Sequence, residues 1–223
     1  MRIAIVNDMP MAVELLKRLV VEANHSVAWV ATTGAQAVES CAKNLPDLIL
    51  MDMIMPEMNG VDTTKKIMSL TPCAILIVTV SVTDNASMVF EAMGAGAIDA
   101  VSTPAVNRDG KPEGAGEFLT KLRHVDRLLN PGKCRATRQN TPTKSDMSEV
   151  NLIAIGSSTG GPNAVAQVVK GFPVDYPAAF VVVQHVDQAF AQGFAEWLDT
   201  QTELKVKVAA EGDILEHGVI YIA

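Results

Sequence analysis

NLIAIGSSTGGPNAV, residues 151–165, is the stretch from which the architecture of this chain is read. Leu152, Ile153, Ala154 and Ile155 run into Gly156, Ser157, Ser158, Thr159, Gly160, Gly161 and Pro162, and a helical pattern starts at Asn163. A short apolar strand that turns sharply into a helix is the repeating unit of an α/β protein. Gly156, Ser158 and Gly160 also satisfy the spacing G-x-S-x-G, in which glycines permit a turn tight enough to expose the central hydroxyl at a helix N-terminus. Backbone N–H groups without helical partners lie beside it and can hold an oxyanion. The same turn also suits a phosphate or a purely structural corner, so by itself it leaves three readings open.

Toward the C-terminus the α/β pattern continues. Ala164 to Gly171 extends the helix, Phe180 to Gln184 reads as a buried strand, Phe190 to Thr200 as a helix, and Lys205 to Ala209 and Val219 to Ala223 as strands. His185 directly follows the strand FVVVQ, so its imidazole emerges at the carboxyl edge that also carries Ser158. There it can take the serine proton during attack and return it to a leaving group. A strand-end histidine is also a common structural polar residue; the serine at the same edge is what makes this one a candidate base. No partner carboxylate is evident: Asp187 is too near in sequence to orient the ring, and Glu211, Asp213 and Glu216 lie in a turn the sequence does not place. A strand such as VIYIA calls for a covering helix after it, which predicts an incomplete C-terminal domain.

Toward the N-terminus, Ile3 to Val6, Val27 to Ala31, Leu48 to Met51, Ala74 to Thr79 and Ile98 to Val101 read as strands. Helical patterns separate them at Pro10 to Ala23, Gly34 to Asn44, Val61 to Leu70 and Ser87 to Met93, and a fifth spans Glu117 to Leu129. Five such repeats with nearly continuous apolar strands predict a doubly wound parallel sheet covered on both faces, with ligands at the carboxyl ends of its strands. Those ends carry Asn7 and Asp8, Asp52, Thr79 and Thr103. Two carboxylates at one edge suit a hard divalent ion such as Mg2+, and Asp52 beside it is a candidate nucleophile toward a phosphoryl donor, with the Thr79 hydroxyl on a transferred oxygen. Strand-end aspartates also cap helices or stay solvated.

Between the units, residues 131–149 lose hydrophobic periodicity and are rich in Pro, Thr, Ser, Lys and Arg, the composition of a linker. Its basic residues Lys133, Arg135, Arg138 and Lys144 are either solvated or placed against an acidic neighbouring surface. Ala105 to Gly116 reads as a long loop rich in glycine and charge. The expected layout is therefore 1–130, a linker at 131–149, and 150–223. Of 223 residues, 48% are hydrophobic, enough for two cores, and the net charge of -7 argues against a nucleic-acid-binding surface. Cys41, Cys73 and Cys134 are odd in number and widely spaced, which predicts neither a disulfide framework nor a cysteine metal site, and fits the cytoplasm. No apolar run nears the roughly 18 residues of a membrane helix, so direct membrane insertion is not expected.

LILMDMIMPEMNG, residues 48–60, and GAIDAVSTP, residues 96–104, resemble response-regulator receiver domains. IAIGSSTGGP, VVVQHVDQAFAQGFAEWL and EGDILEHGVIYIA resemble the catalytic domain of chemotaxis protein-glutamate methylesterases, which carry a receiver in front. The resemblance spans both units in order. It implies a flavodoxin-like five-stranded receiver followed by a second doubly wound α/β domain, with Asp52 phosphorylated by a histidine kinase of a chemosensory system, Asp8 and Asp52 on Mg2+, and Thr79 as switch hydroxyl ahead of Ser81. It implies Ser158 as nucleophile, His185 as general base, Thr159 and Gly160 near the oxyanion, and no cofactor in the esterase site. The family's catalytic aspartate would fall beyond Ala223. Substrates are glutamyl methyl esters, and glutamines, of methylated chemoreceptors; the unphosphorylated receiver shields the esterase site. Asn7, Thr103 and Ala100 depart from the receiver pattern, which usually has an acid, a lysine and an aromatic residue there, and point to slower or altered switching in an alternative chemosensory pathway. The other reading is a receiver joined to a pseudo-esterase that binds receptor or kinase without turnover.

Overall fold

The computed structural model describes residues 1–80, 85–106, 112–130, 151–184 and 190–223. Ser81, His185, Asp187, Cys134 and the linker basic residues lie outside them. In chain order the first unit contains β1 (Arg2–Val6), α1 (Pro10–Glu22), β2 (Ser26–Ala31), α2 (Gly34–Lys43), β3 (Leu48–Met51), α3 (Gly60–Leu70), β4 (Ala74–Thr79), α4 (Ala86–Gly94), β5 (Asp99–Ser102), the short strands β6 (Ala105–Val106) and β7 (Pro112–Glu113), and α5 (Ala115–Leu129). The second contains β8 (Leu152–Ser157), α6 (Gly161–Val169), β9 (Ala179–Gln184), α7 (Ala191–Asp199), β10 (Lys205–Val208) and β11 (Val219–Ile222).

The first sheet is parallel, in the order β2-β1-β3-β4-β5. Its strands alternate between two cores, as a pleat with helices on both faces demands. Ile3 and Ile5 pack with Leu16, Leu19 and Val20 of α1 and Phe118, Leu122 and Val125 of α5, whereas Ala4 and Val6 pack toward α2, α3 and α4. Side-chain oxygens of Thr33 and Asn59 cap α2 and α3 by accepting from the amides of Gln36 and Asp62. Asp99, buried at the start of β5, accepts two hydrogen bonds from Lys121 of α5 at 2.8 and 2.9 Å. The second sheet is also parallel, ordered β10-β11-β9-β8.

The two units share a core. Helix α4 packs against α6 and α7, and Phe90 lies 5.5 Å from Phe194 and 6.0 Å from Trp197 between ring centroids. Aromatic pairs at these separations are stabilising beyond the area they bury.

Three local expectations are corrected. Ala105 to Gly116 is not a structureless loop throughout, because β6 and β7 pair antiparallel, Ala105 opposite Glu113. Strand β5 starts at Asp99, one residue later than the apolar run, although the Ile98 amide already bonds the carbonyl of Ile75 in β4. Helix α6 starts at Gly161, two residues before the helical pattern read from Asn163, with Ser158 in the turn ahead of it; Pro162 fits there since an early helical residue needs no N–H donor. Among the described residues, no helix is long and apolar enough to cross a membrane.

Candidate functional site

Two strand-end sites emerge, one per sheet. In the first, Asp52 is the residue immediately after β3 and is 5% exposed. Its carboxylate accepts from the Asn7 side-chain amide at 3.0 Å and from the Ile54 amide at 3.4 Å. Asn7 is engaged at its other end too, where Oδ1 accepts from the Met9 amide at 2.8 Å. Burial pushes the Asp52 pKa up to about 6; the amides of Ile54 and Met53 pull it back, and the nearby charge of Asp8 adds to the rise. Thr79 is buried at the end of β4, and its hydroxyl oxygen accepts from Asn85 Nδ2 at 3.4 Å. Thr103 is tied in through its backbone, which donates to the carbonyl of Thr79 at 2.8 Å. Its hydroxyl oxygen is buried and has no hydrogen-bond partner among the described residues.

The expected strand-end set, Asp8, Asp52, Thr79 and Thr103, is thus gathered along one edge. No lysine or arginine forms an ion pair with Asp52 among the described residues. Its carboxylate is held in an environment that favours the neutral form, beside a second carboxylate. That oxygen-only donor set fits a hard divalent cation such as Mg2+, which binds through one or two carboxylates and keeps waters for the rest.

The second site forms where β8 and β9 end side by side, Ser157 opposite Gln184. Ser157 Oγ donates to Gln184 Oε1, and Gln184 Nε2 donates to the Ser158 carbonyl at 2.9 Å. That carbonyl also accepts from the Gly161 amide at 2.6 Å. Gln184, 6% exposed, therefore spans the turn with both ends of its amide used. A Cβ on Gly161 would lie 2.1 Å from Gln184 Oε1 and 2.9 Å from Ser157 Cβ, so residue 161 admits only glycine while the glutamine keeps this place. Gly160 has φ 76°, a left-handed conformation natural to glycine, and swings the chain into α6. Ser158 is exposed on this turn and Thr159 is half-buried. The Gly160 amide, expected at the oxyanion, donates instead to the Ile98 carbonyl of the first unit at 2.6 Å.

Gln184, Asn85 and Ile98 were not singled out by sequence reasoning. For Gln184 the signal was present, a polar residue closing the apolar strand AFVVVQ beside a serine turn. Asn85 and Ile98 act through contacts between elements, which carry no local signature.

Residues 3–111 match the family model for the response regulator receiver domain, and residues 153–223 match that for CheB methylesterase. The whole chain is 50% identical over 224 residues to protein-glutamate methylesterase/protein-glutamine glutaminase 3 of Pseudomonas savastanoi pv. phaseolicola, and covers 67% of that protein. This chain belongs to the protein-glutamate methylesterase/protein-glutamine glutaminase family. A second family member, from the group 3 operon of Pseudomonas putida, is 49% identical over 225 residues, again with 67% of its length covered. Among solved structures, the response regulator domain of Thermotoga maritima CheB superposes with a TM-score of 0.50 at 25% identity, over 58% of this chain and 96% of that one. Both units, their order and the receiver fold of the first are thereby established, and a receiver domain of this family implies Mg2+-dependent phosphorylation by a kinase.

Proposed function

We propose that this chain is a phosphorylation-regulated methylesterase that hydrolyses glutamyl methyl esters on chemoreceptors, and deamidates glutamines there, with residues 1–130 as receiver, 131–149 as linker and 150–223 as part of the esterase domain. The observation that carries this reading is the serine turn. Gln184 and Gly161 fix the Ser158 carbonyl from two sides while Ser158 itself stands exposed, and the next residue after Gln184 is His185. Attack needs a nucleophile held in one place, and a turn locked by neutral hydrogen bonds provides that without adding charge.

In the reaction, Ser158 Oγ attacks the ester carbonyl as His185 takes its proton. The oxyanion is met by turn amides, those of Thr159 and Gly160. His185 returns the proton to the departing methoxide, methanol leaves, and water activated by His185 then clears the acyl-enzyme. In the receiver, the Asp52 carboxylate accepts a phosphoryl group from a histidine kinase of a chemosensory system. Asp8 and Asp52 would hold Mg2+, which would supply positive charge to offset that of the transferred group.

A route between the sites supports the regulation. Thr79 turns to the phosphoryl group and lets go of Asn85, the residue at the start of α4. Helix α4 carries Phe90 into the Phe194 and Trp197 stack, and just past it Ile98 holds the Gly160 amide. Movement of α4 frees that amide for the oxyanion.

The test is methanol release from methylated receptor, with and without acetyl phosphate as phosphoryl donor. The expected result is release that disappears in Ser158→Ala and rises with acetyl phosphate in the parent but not in Asp52→Asn. Receptor binding without any Ser158-dependent methanol from a longer chain would replace this reading with that of a non-catalytic regulator.

A further inference from the structure

The orphaned hydroxyl of Thr103 is the one feature of the first site that the reading above does not use. Buried polar groups without a partner are few in folded proteins, and each is unfavourable unless something satisfies it in another state. Thr103 is not misplaced by a loose backbone, since its amide bonds the Thr79 carbonyl at 2.8 Å at the end of β4. Asp52 follows β3, the strand on the far side of β4. Two strand spacings of about 5 Å each separate the Asp52 and Thr103 backbones. A phosphoryl group on Asp52 shortens that gap from one side.

Charge points the same way. Asn7 and Thr103 are both neutral, and among the described residues no lysine or arginine forms an ion pair with Asp52. A phosphoryl group on Asp52 would therefore meet neutral donors at this edge. Phosphorylation adds one to two negative charges and three acceptor oxygens. Asn7 is already engaged by Asp52 and Met9, and Thr79 Oγ1 accepts from Asn85 and keeps its own O–H for one phosphoryl oxygen. The Thr103 hydroxyl is unspent.

We infer that the Thr103 hydroxyl is a neutral hydrogen-bond donor for a phosphoryl oxygen on Asp52, without a partner in the resting receiver and satisfied in the phosphorylated one. The inference rests on Asp52 being the phosphoacceptor. In the step, an Asp52 carboxylate oxygen forms a bond to phosphorus as the bond from phosphorus to the donor's bridging oxygen breaks. With acetyl phosphate as donor, acetate leaves with that electron pair. The Thr103 O–H donates to an oxygen that stays on phosphorus and transfers no proton.

The experiment uses the full chain with acetyl phosphate and Mg2+, follows the rate of acid-stable, hydroxylamine-labile label on Asp52, and records melting temperatures of the resting protein without Mg2+ or donor. Thr103→Val, Thr103→Ser and Asp52→Asn are compared with the parent. We expect Thr103→Val to be labelled about tenfold more slowly, the effect of losing one hydrogen bond to a charged group. It should melt at the parent temperature or slightly above, because it sheds an unsatisfied hydroxyl. Thr103→Ser should retain the parent rate. Equal labelling of valine variant and parent overturns the inference while leaving Asp52 in its role. A drop of several degrees in the resting valine variant also overturns it, since the hydroxyl would then have a partner before phosphorylation. Failure of the parent to take label, or equal label on Asp52→Asn, overturns the Asp52 reading and this one with it.

Discussion

The two strand-end sites are built from the same topology and kept in opposite states of hydrogen bonding. At the serine turn, the side chain that organises the site is satisfied at both ends: Gln184 accepts from Ser157 and donates to the Ser158 carbonyl. At the receiver edge, Asp52 is buried with its pKa pushed up to about 6, and the Thr103 hydroxyl has no partner among the described residues. A site that performs chemistry on others gains from being fixed beforehand, because any reorganisation adds to the barrier. A site that is itself modified gains from being unsatisfied beforehand, since the modification then stabilises a different state. Unspent bonding capacity is therefore a mark of the switch, and spent capacity a mark of the catalyst.

Gly161→Ala attacks the satisfied site most severely. Its methyl group cannot coexist with Gln184 Oε1 at 2.1 Å, and the glutamine cannot yield without losing both of its hydrogen bonds. A cost on the order of 3 kcal/mol follows from overpacking combined with two polar groups left unpaired. Calorimetry should show a lowered melting temperature, and methanol release should fall at least about a hundredfold, a loss of transition-state stabilisation of roughly 2.7 kcal/mol. Labelling of Asp52 by acetyl phosphate should persist. Loss of both activities together would mean that the two sites do not have separable supports.

Gln184→Leu is the milder version. Leucine has similar bulk, so packing survives, but the Ser157 hydroxyl and one bond to the Ser158 carbonyl are lost. The carbonyl keeps the Gly161 amide at 2.6 Å. About 2 kcal/mol of destabilisation is expected. Since the glutamine positions the turn without touching substrate, kcat should drop while KM stays close to that of the parent. A variant impaired only in KM would assign Gln184 to substrate binding and blur the distinction between the two sites.

The topology was readable because it depends on local pattern. Strands such as Leu48 to Met51 are apolar throughout, which only a sheet covered on both faces explains, and β3 is indeed fully buried. The same rule overreached in the second sheet, where Leu152 and Val183 are about half exposed although their strands look equally continuous. Strand ends were likewise readable, so the positions of Asp8, Asp52, Thr79 and Ser158 at or just past the ends of β1, β3, β4 and β8 were legible in the sequence. Illegible were the bonds that run between elements. The Gln184 clamp needs β8 and β9 to end in register, the Asn85 contact needs the start of α4 folded back onto β4, and the Ile98 bond to Gly160 needs the two units docked. No spacing within one segment encodes these.

Asn7→Asp makes the smallest change and presses on the unsatisfied site. The substitution keeps an oxygen for the Met9 amide but removes the donor that Asp52 now receives at 3.0 Å, and it sets a third carboxylate beside Asp52 and Asp8. Without a divalent cation the added repulsion should destabilise the receiver by about 1 kcal/mol, the order expected for a lost hydrogen bond together with a partly solvated like charge. With Mg2+ the sign reverses, because a third oxygen ligand and a further negative charge tighten binding, and any ligand that prefers the folded state raises its stability by mass action. Melting curves in chelator and in Mg2+ should therefore diverge further for Asn7→Asp than for the parent. An equal Mg2+ response in the two proteins would mean that residue 7 does not face the cation. The neutral amide would then serve only to hold Asp52 and the chain at Met9, and the receiver edge would be less open to ligand than its lone hydroxyl and crowded carboxylates indicate.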